Sequence, residues 1–255
     1  MEGSGPPAIQ TRSLRKFYGD TPALDGVDLT VPAGSFFGFL GPNGAGKTTM
    51  IRLLAGLAPP TAGEIRIFGM PLEAGAAEIK RQIGLVPEES LLFEQLTGGE
   101  MLEFAGRMYG LGRAVARERA RQLLELFELS GATRKLVADY SKGMRKRLAL
   151  AAALIHRPRL FLLDEPFEGV DAIGARLMKQ LLEEQVRAGA TIFLTSHVLE
   201  VVERLCDRVA VIDRGRLVLE GRMSELAAGS RTLEDVFVQV VGGERAAPEL
   251  RWLRL

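Results

Sequence analysis

Short apolar runs alternate with helical patterns along most of this chain. Ser35–Leu40, Leu160–Leu163 and Thr191–Thr195 are too short for an ordinary helix and read as strands, with Ile83–Val86 a fourth that Pro87 stops. Ile9–Leu14 and Leu24–Val31 alternate apolar and polar positions, with a turn predicted at Asp20-Thr21-Pro22. Glu64–Phe68 is a further strand, and Arg208–Ile212 and Arg216–Leu219 flank Asp213-Arg214-Gly215 as a hairpin. The period becomes helical over Thr48–Ala55, Thr97–Leu129 (broken at Gly110-Leu111-Gly112), Leu148–His156, Ile173–Val186, His197–Leu205 and Leu233–Val241.

Strands alternating with helices predict an α/β fold, a mostly parallel sheet with helices on both faces. The strands near the start suggest a smaller antiparallel layer, and the helix-only middle looks inserted. No internal repeat is visible, so one unit is expected. The longest apolar stretch, Leu148–Ile155, falls far short of the roughly 20 residues a membrane-spanning helix needs. The first residues lack the basic and apolar regions of a secretion signal.

Charge narrows the partners. Lys and Arg total 33 against 32 Asp and Glu, a net charge of +1, so no overall field draws the chain to nucleic acid. The one cysteine, Cys206, excludes an intrachain disulfide and reads as a small buried residue on a helix.

The chemistry concentrates in three segments. Gly41-Pro42-Asn43-Gly44-Ala45-Gly46-Lys47-Thr48 fits G-x-x-x-x-G-K-[ST] between a strand and a helix. The glycines let backbone N–H groups turn inward as an anion nest, and the helix points its positive end at the same place. Lys47 supplies a full charge for the β- and γ-phosphates, and the Thr48 hydroxyl can ligate Mg²⁺, so the segment predicts binding of a nucleoside triphosphate. Leu160-Phe161-Leu162-Leu163-Asp164-Glu165-Pro166 delivers two carboxylates at the carboxyl end of a buried strand. Asp164 would hold Mg²⁺, usually through water, and Glu165 would take a proton from the attacking water or orient it. Tyr140-Ser141-Lys142-Gly143-Met144-Arg145 places a cap and a second anion-facing helix end before a helix.

In this order the segments resemble the nucleotide-binding subunit of ATP-binding cassette (ABC) transporters, from about Ile9 to Val241. The resemblance implies a P-loop NTPase fold of the RecA-like kind: a mostly parallel core, an antiparallel β subdomain and an inserted helical subdomain at about 90–157, within a domain over 8–241 and before a short tail over 242–255. It implies ATP and Mg²⁺ as ligands, with Gly41, Pro42, Asn43, Gly44, Ala45, Gly46, Lys47, Thr48 and Thr49 around the phosphates and Tyr18 stacking on adenine. Ser141-Lys142-Gly143-Met144 looks like a variant of the family's Leu-Ser-Gly-Gly-Gln, with Lys142 replacing one glycine of the pair and Met144 the glutamine. Ser141 and Gly143 would complete the site of a second subunit. His197 matches the switch histidine that hydrogen-bonds the γ-phosphate, so Glu165, His197 and Lys47 are the expected catalytic residues. Asp171 matches an aspartate along the dimer seam, whereas His156 has no such role.

One position departs from the family. Where it usually has glutamine after the Val-Pro pair, this chain has Glu88, which can still ligate a hard cation and so joins Thr48 and Asp164 as an expected metal donor. Glu88, the altered signature and Thr232-Leu233-Glu234-Asp235-Val236-Phe237 resemble the exporter branch. The resemblance thus implies an ATPase that powers export through separate transmembrane permease subunits. It would pair with a second nucleotide-binding subunit, expected to be another copy, at the cytoplasmic face of the membrane. Leu92–Leu129 and the Glu88 loop are the expected groove for the permease. The tail is expected to be loosely docked. The alternative is a soluble cassette ATPase acting on ribosomes or nucleic acid, which the near-zero charge and single nucleotide unit disfavour.

Overall fold

Each strand of the main sheet sends apolar side chains to both faces, and what covers those faces sets the architecture. The computed structural model describes residues 5–89, 91–226 and 232–242. In chain order the elements are β1 (Ile9–Tyr18), β2 (Thr21–Val31), β3 (Phe36–Leu40), α1 (Lys47–Leu54), β4 (Ala62–Ile67), β5 (Met70–Pro71), α2 (Ala76–Arg81), β6 (Ile83–Val86), α3 (Gly98–Met108) and α4 (Arg113–Leu126). Two 3₁₀ turns follow, then α5 (Lys142–Leu154), β7 (Leu160–Asp164), α6 (Ala172–Arg187), β8 (Thr191–Ser196), α7 (Leu199–Leu205), β9 (Arg208–Asp213), β10 (Arg216–Arg222), α8 (Met223–Leu226) and α9 (Leu233–Val241).

The main sheet has the order β10-β9-β3-β8-β7-β6, parallel except for β10, and a second, antiparallel sheet has the order β2-β1-β4-β5. Successive strand residues point to opposite faces. Phe37, Phe39, Leu160, Leu162 and Phe193 therefore pack toward α1 and the antiparallel sheet. Phe36, Leu40, Phe161, Leu163 and Leu194 pack against the helices α3 to α7. Every position of β3, β7 and β8 is buried, and their polar residues fall only at strand ends, at Asp164, Thr191, Thr195 and Ser196. Each large side chain so buried contributes about 1.5–3 kcal/mol. Gly38 has a packing reason. A Cβ there would lie 2.5 Å from Val202 Cγ1, so α7 presses directly on the β3 backbone.

Several boundaries differ from the sequence reading. Thr21 and Pro22, expected in a turn, are strand residues paired with Tyr18 and Phe17. They are tolerated because β2 is an edge strand, where proline's missing N–H costs no ladder bond. The helix expected after the Ser141 cap and continuing to His156 starts at Lys142 as expected but stops at Leu154; Arg157 takes φ 59°, ending the helical path before the turn into β7. The helix expected from His197 starts at Leu199, because the Ser196 hydroxyl accepts the Val198 N–H (3.0 Å) and holds His197 in a bend. Of the expected tail, residues 243–255 lie outside the described residues.

Candidate active site

The loop after β3 is shaped by contacts only glycine permits. Gly46 caps α1 at φ 113°, and a Cβ there would meet Ala23 O at 2.5 Å and Leu24 Cδ2 at 2.8 Å. The loop is held from the side by the β9–β10 hairpin: Gly215 N donates to Ala45 O (3.0 Å) and its carbonyl accepts from Asp25 N (2.8 Å). Arg216 and Asp25 fasten the hairpin further, with a closest approach of 2.6 Å. α1 has no acidic residue in its own first turn, so no carboxylate of that turn competes for its N-terminal N–H groups. Lys47 is buried, and its Nζ lies over the loop, donating to Gly41 O at 2.7 Å and Pro42 O at 3.2 Å.

The two carboxylates at the end of β7 have different surroundings. Asp164 is 1 % exposed; its Oδ1 accepts from Thr195 Oγ1 at 2.5 Å, while Oδ2 is buried with no hydrogen-bond partner. Glu165 takes the left-handed conformation (φ 47°), an uncommon one for a residue with a side chain, and its N–H is met by Thr195 O and Oγ1. Its Oε1 accepts from His197 Nδ1 at 2.9 Å. Burial pushes the Glu165 carboxyl above the usual carboxylate range; the bond from His197 and the Lys47 charge oppose this, and Asp164 adds to it. A raised, partly desolvated carboxylate is the stronger base.

These residues converge. A cleft of about 480 Å³ is lined by Asn43, Gly44, Gly46, Lys47, Thr48, Thr49, Glu88, Asp164, Glu165 and His197, together with Ala23 and Glu168. Glu88 reaches the Thr48 hydroxyl, 3.4 Å from its Oε2. Gly41, Pro42 and Ala45 belong to the same loop through the bonds already given.

Other expected residues stand apart. Tyr18 lies outside the lining, half exposed, with Lys16 Nζ 5.2 Å from its ring centre. Ser141 caps α5 by accepting from Met144 N (3.2 Å), and Gly143 is buried where a Cβ would come within 3.0 Å of Gly169 O; neither lines this cleft. Lys142 reaches back to Glu168 at 2.7 Å. Asp171 caps α6 through Gly174 N (2.8 Å), which holds its carboxyl below the usual range. His156 is structural: its Nε2 donates to Ile83 O and its ring stacks on Tyr109. Cys206 is buried at the end of α7.

Two residues escaped the sequence reading. Thr195, on the neighbouring strand, donates to the Asp164 carboxylate and accepts from the Glu165 main-chain N–H, and Lys146 donates from inside the protein to the carbonyls of Pro87 and Glu88. Parallel pairing of β7 with β8, which sets Asp164 opposite Thr195, was the available signal for the first.

The donors present fit magnesium. Among the described residues no three His, Cys, Asp or Glu side chains form a metal cluster. Mg²⁺, however, uses one or two carboxylates plus phosphates and water, and the partnerless Asp164 Oδ2 beside the Thr48 hydroxyl and Glu88 suits that demand.

Known proteins resemble this chain in sequence and in fold. The family described as "ABC transporter" matches residues 24–168. The daunorubicin resistance ATP-binding protein DrrA3 of Streptomyces coeruleorubidus is 44% identical over 87% of this chain and 70% of its own length. The Nod factor export ATP-binding protein I of Cupriavidus metallidurans is 42% identical over 86% of this chain and 72% of its own length. A dimeric structure of an ATP-binding cassette in a post-hydrolysis state with ADP and Pi superposes with a TM-score of 0.79 at 26% identity, covering 84% of this chain and 98% of that one.

Proposed function

The chain belongs to the ABC transporter family, and from that membership we propose how its cleft drives transport. It is an ATPase, the ATP-binding subunit of an exporter, and the soluble ribosome- or nucleic-acid-acting alternative finds no support in its relatives. The observation that carries the mechanism is the convergence of Lys47, Asp164, Glu165 and His197 on one cleft.

Lys47 and the positive end of α1 hold the triphosphate. Thr48, Asp164 and Glu88 would hold magnesium, which would supply positive charge to offset that of the phosphate oxygens. Glu165 takes a proton from water as the water oxygen bonds to the γ-phosphorus. The bond from that phosphorus to its bridging oxygen breaks, the electron pair leaves with ADP, and the products are ADP and phosphate. His197 orients the Glu165 carboxylate through Nδ1 and presents its other ring nitrogen to the γ-phosphate.

Ser141 and Gly143, which do not line this cleft, would close the site of a second copy, with Asp171 along the seam. Tyr18 would meet adenine once the nucleotide lies along β1. Leu91, Phe93, Phe104 and Met108 are exposed, and the Phe93 and Phe104 rings meet edge to face; these apolar side chains support a transmembrane permease as partner. No helix among the described residues is long and apolar enough to cross a membrane, so that partner would hold the chain at the cytoplasmic face. Light scattering on Glu165→Gln tests the closure. The mass should double on adding Mg·ATP and stay single when Ser141→Arg is added; a monomer under both conditions would overturn it.

A further inference from the structure

Lys146 is 2 % exposed, a burial rare for lysine unless its charge is answered. It lies one turn beyond Gly143 on α5, and its Nζ donates to Glu88 O at 2.5 Å and to Pro87 O at 3.3 Å. Both acceptors are neutral carbonyls, so neither cancels the ammonium charge. Lys146 lines one surface groove with Glu88, Glu168 and Lys142, so its ammonium shares that groove with carboxylates and a further cation. Asp164 and Glu88 are two of the expected metal donors. Glu88 is also the acid this chain carries where the resembled family usually has a neutral glutamine.

We propose that Lys146 is a positioning residue whose buried ammonium offsets the carboxylate of Glu88, keeping an acid-rich cleft able to accept a triphosphate. The inference rests on the placing of Glu88 beside the phosphate loop. The cleft is lined by Asp164, Glu165, Glu168 and Glu88 as well as Lys47, and an anionic nucleotide must enter against those acids. One cation behind the Glu88 loop lowers that repulsion, and its hydrogen bonds also tie the loop to the helix that starts at Ser141.

A double-mutant cycle on the full chain separates charge from scaffolding. The hydrogen bonds of Lys146 end on main-chain carbonyls, which Glu88→Gln leaves in place. A purely structural Lys146 would therefore cost the same in either background. Calorimetric titration with Mg·ATP should show Lys146→Gln weakening binding about tenfold in the natural background and about threefold or less with Glu88→Gln present. Lys146→Arg should recover most of the affinity that Lys146→Gln loses. KM should rise while kcat changes little, because Glu165 and His197 are untouched. Melting curves accompany each variant, and Lys146→Met replaces Lys146→Gln if the latter does not fold. Equal losses in both backgrounds would overturn the proposal. Absence of Mg·ATP binding by the unsubstituted chain would instead overturn the reading of the cleft itself.

Discussion

His197 Nδ1 lies 2.9 Å from Glu165 Oε1, joining the bend after β8 to the acid at the end of β7. A carboxylate can only accept here, so the neutral imidazole carries its hydrogen on Nδ1 and leaves Nε2 without one. Donation from Nε2 to a phosphate therefore requires the imidazolium. His197→Ala should lower kcat by about 10²-fold while calorimetry finds ATP affinity within about threefold. A loss confined to affinity would show that His197 serves binding alone.

Thr195 is the support for both acids. Its hydroxyl donates to Asp164 Oδ1 and accepts from Glu165 N. Thr195→Val keeps the shape and strands a buried carboxylate with neither oxygen paired, so urea unfolding should report a loss of about 1–3 kcal/mol. Addition of Mg·ATP should recover part of this, since ligand bound to the folded state stabilises it.

His156 predicts a pH dependence of stability. Burial, with a smaller push from the Arg119 charge, lowers its pKa from 6.5 to about 4 against the opposing hydrogen bond to Ile83 O. The unfolded chain thus takes up the proton first, and this contribution to stability, complete above about pH 6.5, is lost as pH falls toward 4. Scanning calorimetry should show the melting temperature of the unsubstituted chain falling across that window more steeply than that of His156→Gln.

Much of this arrangement can be read from residue order. The runs in β3, β7 and β8 announce strands covered on both faces, and Gly41–Thr48 with Asp164 and Glu165 mark the strand ends where a ligand is met. What escapes depends on partners from elsewhere in the chain. Pro22 looks like a turn residue until β2 is known to be an edge strand, and His197 looks helical until Ser196 takes the Val198 N–H. Thr195 and Lys146 are ordinary strand and helix residues by pattern. Their importance comes from Asp164 one strand away and Glu88 on a distant loop.

Phosphate release from ATP by the purified chain, measured beside its Glu165→Gln variant, tests the central claim most directly. Steady release by the unsubstituted chain in magnesium, falling about 10²–10⁴-fold in the variant while ATP binding persists, is the predicted result. Equal release from both, or none from the unsubstituted chain despite bound Mg·ATP, would contradict the account.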